Sequence, residues 1–114
     1  MRSDILALLK LFESRARDRE THAWVVELAS DENLWPNAQD VFRQIRRRSL
    51  ECKDEATQCQ YYFEEVCLKS LFNETNTDMP FDSDSPHWII KNALMFARAV
   101  GIPEKEIIEI IVAI

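Results

Sequence analysis

Glycine is almost missing from this chain: Gly101 is the only one in 114 residues. Tight turns that need positive φ must therefore be few, or be made by Asn and Asp. Long hydrophobic runs are also absent. The apolar stretch in MRSDILALLKLFES is broken by Lys10 and Glu13, and no small-residue cleavage site follows it. Neither a signal peptide nor a membrane span fits, and a cytoplasmic location is expected. Cys52, Cys59 and Cys67 are odd in number and lack the C-x2-C rhythm of a zinc site. A disulfide scaffold is not expected on that count, and reduced thiols filling a core are. Histidine occurs only as His22 and His87, and no Glu-x-x-His pair occurs to build a metal-carboxylate bundle. No internal repeat of fixed period is present.

Hydrophobic residues make up 46% of the chain, the globular average, and the length suits one domain spanning residues 1–114. The charge is uneven. Residues 1–50 hold nine basic and eight acidic groups, whereas residues 51–114 hold five and twelve. A field of that sign repels nucleic acid and anionic membranes and favours a basic partner.

Apolar periodicity points to an all-α fold, a compact bundle of about five or six short-to-medium helices. Ser3 is read as the cap of a first helix carrying Ile5, Leu8, Leu9, Phe12 and Ala16. Thr21 is read as the cap of HAWVVELA. Leu34 and Trp35 are expected to fold inward from the connection SDENLWPNAQD. Asn37 opens a third helix with Val41, Phe42 and Ile45 buried and Leu50 extending the stripe. A long helix follows over 54–72, with Cys59, Tyr62, Phe63, Val66, Cys67 and Leu71 on one broad face. NETNTDMPFDSDS, 73–85, has no apolar period and reads as the longest loop. Ser85-Pro86 is a strong helix start, and Gly101 a left-handed terminator for helix five. That helix is expected to bury Trp88, Ile89, Ala93, Leu94, Phe96, Ala97 and Val100. Pro103 opens a last segment, EKEIIEIIVAI, whose Ile and Val content also suits a strand. With no second strand to pair with, it is read as a helix, and an apolar strip over Ile107–Ile114 would permit a homodimer.

Asp82 and Asp84 in DSDS are left over once capping is accounted for. The calcium-loop pattern fails, since its glycine is missing, Pro86 replaces the third ligand and Ala93 stands at the twelfth position. No metal or other cofactor is expected. His87, at a positive helix end, should stay neutral, and no nucleophile stands at a matching helical offset. Glu64 and Glu65 point about 100° apart on a helix and make a poor acid/base pair, which wants facing carboxylates. RQIRRRS, 43–49, is a basic cluster in which Arg43, Arg46 and Arg47 share one side, but no aromatic platform is interleaved with it. Surface ion pairing is its simpler role, and direct nucleic-acid binding is not expected. No catalytic constellation emerges, so the chain is read as a non-enzyme that presents a surface.

An acidic surface suits a basic one, such as the phosphate-binding cleft of a nuclease. The protein-binding residues expected on this reading are Glu64, Glu65, Glu74, Asp78, Asp82, Asp84 and His87, with Phe81 or Trp88 as an apolar anchor. The stretch FNETNTDMPFDSDSPHWIIKNALMFARAVGI, 72–102, with the length and acidity of the chain, resembles small all-helical immunity proteins of bacterial contact-dependent growth-inhibition systems. The resemblance implies an inhibitor that binds a cognate toxin domain, often a nuclease, and covers its active site. No functional residue is carried over from it. The other readings are a helical protein-interaction adaptor or regulatory module, and a small enzyme assembled from separated residues.

Overall fold

Ile5, Leu8, Leu9 and Phe12 recur at helical spacing, so a helix that carries them has one side to bury. The computed structural model shows this first helix as α1, Ser3–Phe12. It describes the backbone of residues 3–75 and 86–113 and the side chains of 4–71 and 88–113. After α1 come α2 (Arg19–Ser30), a 3-10 turn (Glu32–Asn37), α3 (Ala38–Glu51), α4 (Glu55–Thr75), α5 (Pro86–Val100) and α6 (Glu104–Ala113). No strand occurs among the described residues, so the fold is all-α and the Ile-rich last segment is a helix.

The helix ends follow local chemistry. Gly101 adopts φ 81°, the left-handed conformation that ends α5. The amide of Ile102 then donates to the Ala97 carbonyl at 2.9 Å while its side chain turns into the core. Asp54 starts α4 by accepting from the amide and hydroxyl of Thr57. Thr21 is not a cap. Asp18 caps α2, accepting from the Thr21 amide at 3.2 Å, and Thr21 lies one turn inside. Asn37 precedes α3 but makes no side-chain cap bond. Trp35 is half-buried and donates from Nε1 to the Leu28 carbonyl, which ties the 3-10 turn to α2.

α4 runs through the middle, packing chiefly on α5 and α3, and α6 closes against α5 and α1. One hydrophobic cluster draws on all six helices. Its centre is three phenylalanines: Phe12 stacks on Phe96 at 4.3 Å between ring centroids, and Phe63 tilts against Phe12 at 5.1 Å. Each such ring, fully buried, contributes about 1.5–3 kcal/mol of transfer free energy. Cys59 and Cys67 are buried thiols of this core, and none of the three cysteines forms a disulfide.

Three residues expected inside are outside. Leu50 is almost fully exposed, because the buried side of α3 runs from Ile45 to Ser49 and Leu50 stands about 100° round from it. Tyr62 and Trp88 are each about half exposed, and Tyr61 takes the inward place expected of its neighbour. On α6, Ile107 is buried while Ile108 and Val112 face out, so its apolar residues are divided between core and surface. No helix among the described residues is long and apolar enough to cross a membrane.

Candidate functional site

Two features stand out, one on each side of α4. The inner one is a polar seam between α2 and α4. Its anchor is Asp18, whose carboxylate caps α2 and also accepts from the Tyr61 hydroxyl at 2.6 Å and from Arg48 Nη1 at 3.0 Å. Burial pushes the Asp18 carboxyl up. Its bonds from Tyr61, the Thr21 amide and Arg48 outweigh that and hold it below the usual carboxylate range. Burial and the adjacent carboxylate push the Tyr61 phenol up. Arg48 also reaches Glu20 at 2.6 Å and lies over the Trp24 ring at 5.1 Å.

Deeper in the seam, Gln60 satisfies its whole amide. Its Oε1 accepts from the amides of Arg17 and Asp18, and its Nε2 donates to the Asp18 carbonyl and to Glu64. Glu64, 0% exposed, accepts from the Thr21 hydroxyl at 3.1 Å and faces His22, 2% exposed. His22 Nε2 lies 2.7 Å from the Leu9 carbonyl. A carbonyl only accepts, so Nε2 carries a hydrogen. His22 Nδ1 sits 3.4 Å from Glu64 Oε2 in ion-pair range, without a hydrogen bond of regular geometry. A bare Nδ1 against a bare carboxylate would be repulsive, so one proton belongs between them. Burial drives His22 toward its neutral form, yet the bond and charge of Glu64 and the Leu9 carbonyl raise its pKa overall. Burial raises Glu64 as well, against the donors that face it.

This pair unites a histidine with a carboxylate, the juxtaposition expected of a small enzyme. At this depth no substrate can touch it, and its chemistry is to hold a proton and lock α2 to α4. Glu64 is therefore not a surface contact: a carboxylate with three polar partners in the core is unavailable to another protein. Glu65 is half-buried, its carboxyl pushed up by burial and pulled back by the charges of Arg46 and Lys69. Glu104 pairs with Arg98 at 2.6 Å. The described carboxylates after position 50 are thus divided among separate duties, with Glu51, Asp54 and Glu55 exposed around the α3–α4 corner. The side chains of Glu74 and His87, and all of Asp78, Phe81, Asp82 and Asp84, lie outside the described residues.

The outer feature is apolar. Trp88 and Met95 stand seven residues apart on α5, hence on one side of it, and are 48% and 41% exposed. Tyr62 of α4, 44% exposed, meets Met95 in a shallow depression of about 350 Å³ whose rim includes Asp54 and Glu55. A larger concavity of about 580 Å³ adjoins it and adds Arg17 and Arg98. Cys59 lines both, but burial and then Glu55 and Asp54 push its thiol up, which disfavours the nucleophilic thiolate. Lys91 lies over the Trp88 ring at 5.4 Å. No group of three or more His, Cys, Asp or Glu among the described residues could hold a metal ion.

The basic cluster of α3 splits. Arg43, Arg46 and Arg47 are exposed, with Arg43 3.7 Å from Asp40 and Arg46 over Phe42. Arg48, which the sequence did not single out, turns into the seam. Gln60 and Glu64 carried one legible signal: two polar residues four apart on the side of α4 that also holds Phe63 and Cys67. Comparison with protein-family models, curated proteins and solved structures finds no match for this chain.

Proposed function

We propose that this chain works by binding another protein, anchored by Tyr62, Met95 and Trp88 on the outer side of α4 and α5. The observation that carries this reading is the half-exposure of three large side chains on two adjoining helices. Aromatic and Met side chains are the types enriched at interface cores, and a few such anchors dominate binding energy. The partner is basic. Asp54 and Glu55 stand at the rim beside Tyr62 and Met95, the sequence ahead of Trp88 holds Asp78, Asp82 and Asp84, and the chain carries net charge -6. Opposite potentials speed encounter and select the partner, while apolar anchors slow dissociation.

On the finer reading the partner is a toxin domain, a nuclease whose phosphate-binding cleft is basic, and the chain is the immunity protein that covers it. The test is one-to-one mixing with the basic product of the adjacent upstream reading frame. Submicromolar association and loss of toxin activity are expected, with Met95→Ala plus Trp88→Ala weakening the complex at least thirtyfold. Failure of the wild-type pair to associate at low salt rejects that pairing. Reversing charge at Asp82 and Asp84 should mainly slow association. A complex indifferent to both salt and that reversal favours the adaptor reading, in which the apolar strip alone selects a partner.

A further inference from the structure

We infer that the hollow lined by Ser14, Arg15, Arg17 and Arg19 binds a single dianionic phosphate group, that of inorganic phosphate or of a small phosphate monoester. Between α1 and α2 the chain alternates: Ala16 is buried and Asp18 turns in as the α2 cap, so Arg15, Arg17 and Arg19 face outward together. They surround a depression of about 290 Å³ with Val100 on its wall and no carboxylate in its lining. Such a volume suits one phosphate group with a small substituent.

The three guanidiniums make no direct bond, although the charge of Arg17 acts on Asp54 across the adjoining concavity. Among the described residues none of their side chains makes a hydrogen bond or ion pair, whereas Arg48 is held by Asp18 and Glu20 and Arg98 by Glu104. Three neighbouring arginines around one hollow repel one another, and one bound dianion relieves that repulsion. Guanidinium forks match phosphate oxygens in geometry, and the Ser14 hydroxyl adds a donor.

The seat is also pre-formed. The fully buried Gln60 clamps the backbone amides of Arg17 and Asp18 at 2.8 and 3.0 Å, and is itself fixed to Glu64. A polar seam in the core thus holds the shape of a surface loop, which lowers the ordering cost of binding there. One phosphate is favoured over a nucleic-acid strand because the concavity on the far side of Arg17 is lined by Asp54 and Glu55, which would meet the next phosphate.

The test is a titration of the whole protein with inorganic phosphate, followed by NMR at the backbone amides of residues 14–19 and the arginine Nε–H groups. Chloride at matched ionic strength serves as the reference. Saturable shifts confined to this loop, with a millimolar dissociation constant, are expected, and phenyl phosphate should produce them as well. Arg15→Gln and Arg17→Gln should each weaken binding about tenfold, since each removes a charge-assisted contact. Arg43→Gln, in the other arginine cluster, should leave it unchanged. Both side chains are exposed and make no direct bond, so the variants fold as the parent does. Shifts that fail to saturate, equal those with chloride, or persist in Arg17→Gln overturn the site. A single-stranded oligonucleotide that binds far tighter than phosphate, with steep salt dependence, overturns it in favour of nucleic acid.

Discussion

The two sides of α4 invert the usual rule. Facing α2 it buries Gln60 and Glu64, and facing solvent beside α5 it exposes Tyr62. A helix normally places its apolar stripe inward and its polar face outward. The inner exception is tolerated because nearly every polar atom there has a partner, with Glu64 meeting Thr21 and His22 of α2 and Gln60 of its own helix. The outer exception has no such compensation within the described residues, since Tyr62, Met95 and Trp88 remain half in water. A satisfied polar core needs no outside partner; an uncovered apolar strip gains by one. The comparison separates what holds the chain together from what it offers to other molecules.

That separation breaks most visibly at Glu64. Glu64→Ala removes the acceptor of Thr21 and Gln60 and strands the His22 charge, and should lower the unfolding free energy by about 3–5 kcal/mol in urea titrations. A loss below about 1 kcal/mol would mean that the seam is not a closed network. The pair also sets a pH dependence. His22 and Glu64 both hold protons more readily in the folded chain than at their ordinary values of 6.5 and 4.5. The native state therefore binds more protons than the unfolded one as pH rises past those values. The stabilisation due to His22 is complete below 6.5 and is lost as pH climbs through its raised folded value. Urea midpoints should fall over that range in the parent protein. In Glu64→Gln the fall should shrink or vanish, because burial of the imidazole is then opposed only by the Leu9 carbonyl and the charge of Glu13. Least affected in stability should be Tyr62→Ala, two residues from Glu64 on the same helix, with a change within about 0.5 kcal/mol. A large loss there would show that Tyr62 holds the fold rather than a partner.

Much of the architecture was legible because its causes are local. Pro86 opens α5, Gly101 at φ 81° closes it, and the spacing of Ile5, Leu8, Leu9 and Phe12 marks the buried side of α1. The cap of α2 was misplaced by three residues although its signal was present: Asp18 stands three before Thr21, an ordinary cap spacing. Thr21 drew the cap because a hydroxyl ahead of an apolar segment looks alike whether it caps or lies one turn inside. Tyr61 and Tyr62 differ by 100° on α4 and carry nearly the same apolar surface, so periodicity alone could not choose between them. The Asp18 carboxylate, 2.6 Å from the Tyr61 hydroxyl, marks the side that went in. Of the residues expected to meet a partner, Glu64 left the surface for that reason too: its partners Thr21 and His22 come from α2.

By itself the sequence determined the helices, their order and most of their ends, since capping, helix period and the conformations of proline and glycine act within a few residues. Only the tertiary structure decided which side of α4 is interior, that His22 faces Glu64 at 3.4 Å, and that Arg15, Arg17 and Arg19 surround one hollow over a loop clamped by Gln60. Those outcomes rest on contacts between residues some forty positions apart, such as Gln60 with Arg17 and Thr21 with Glu64. No local pattern can encode such a meeting, because it exists only once the helices have packed.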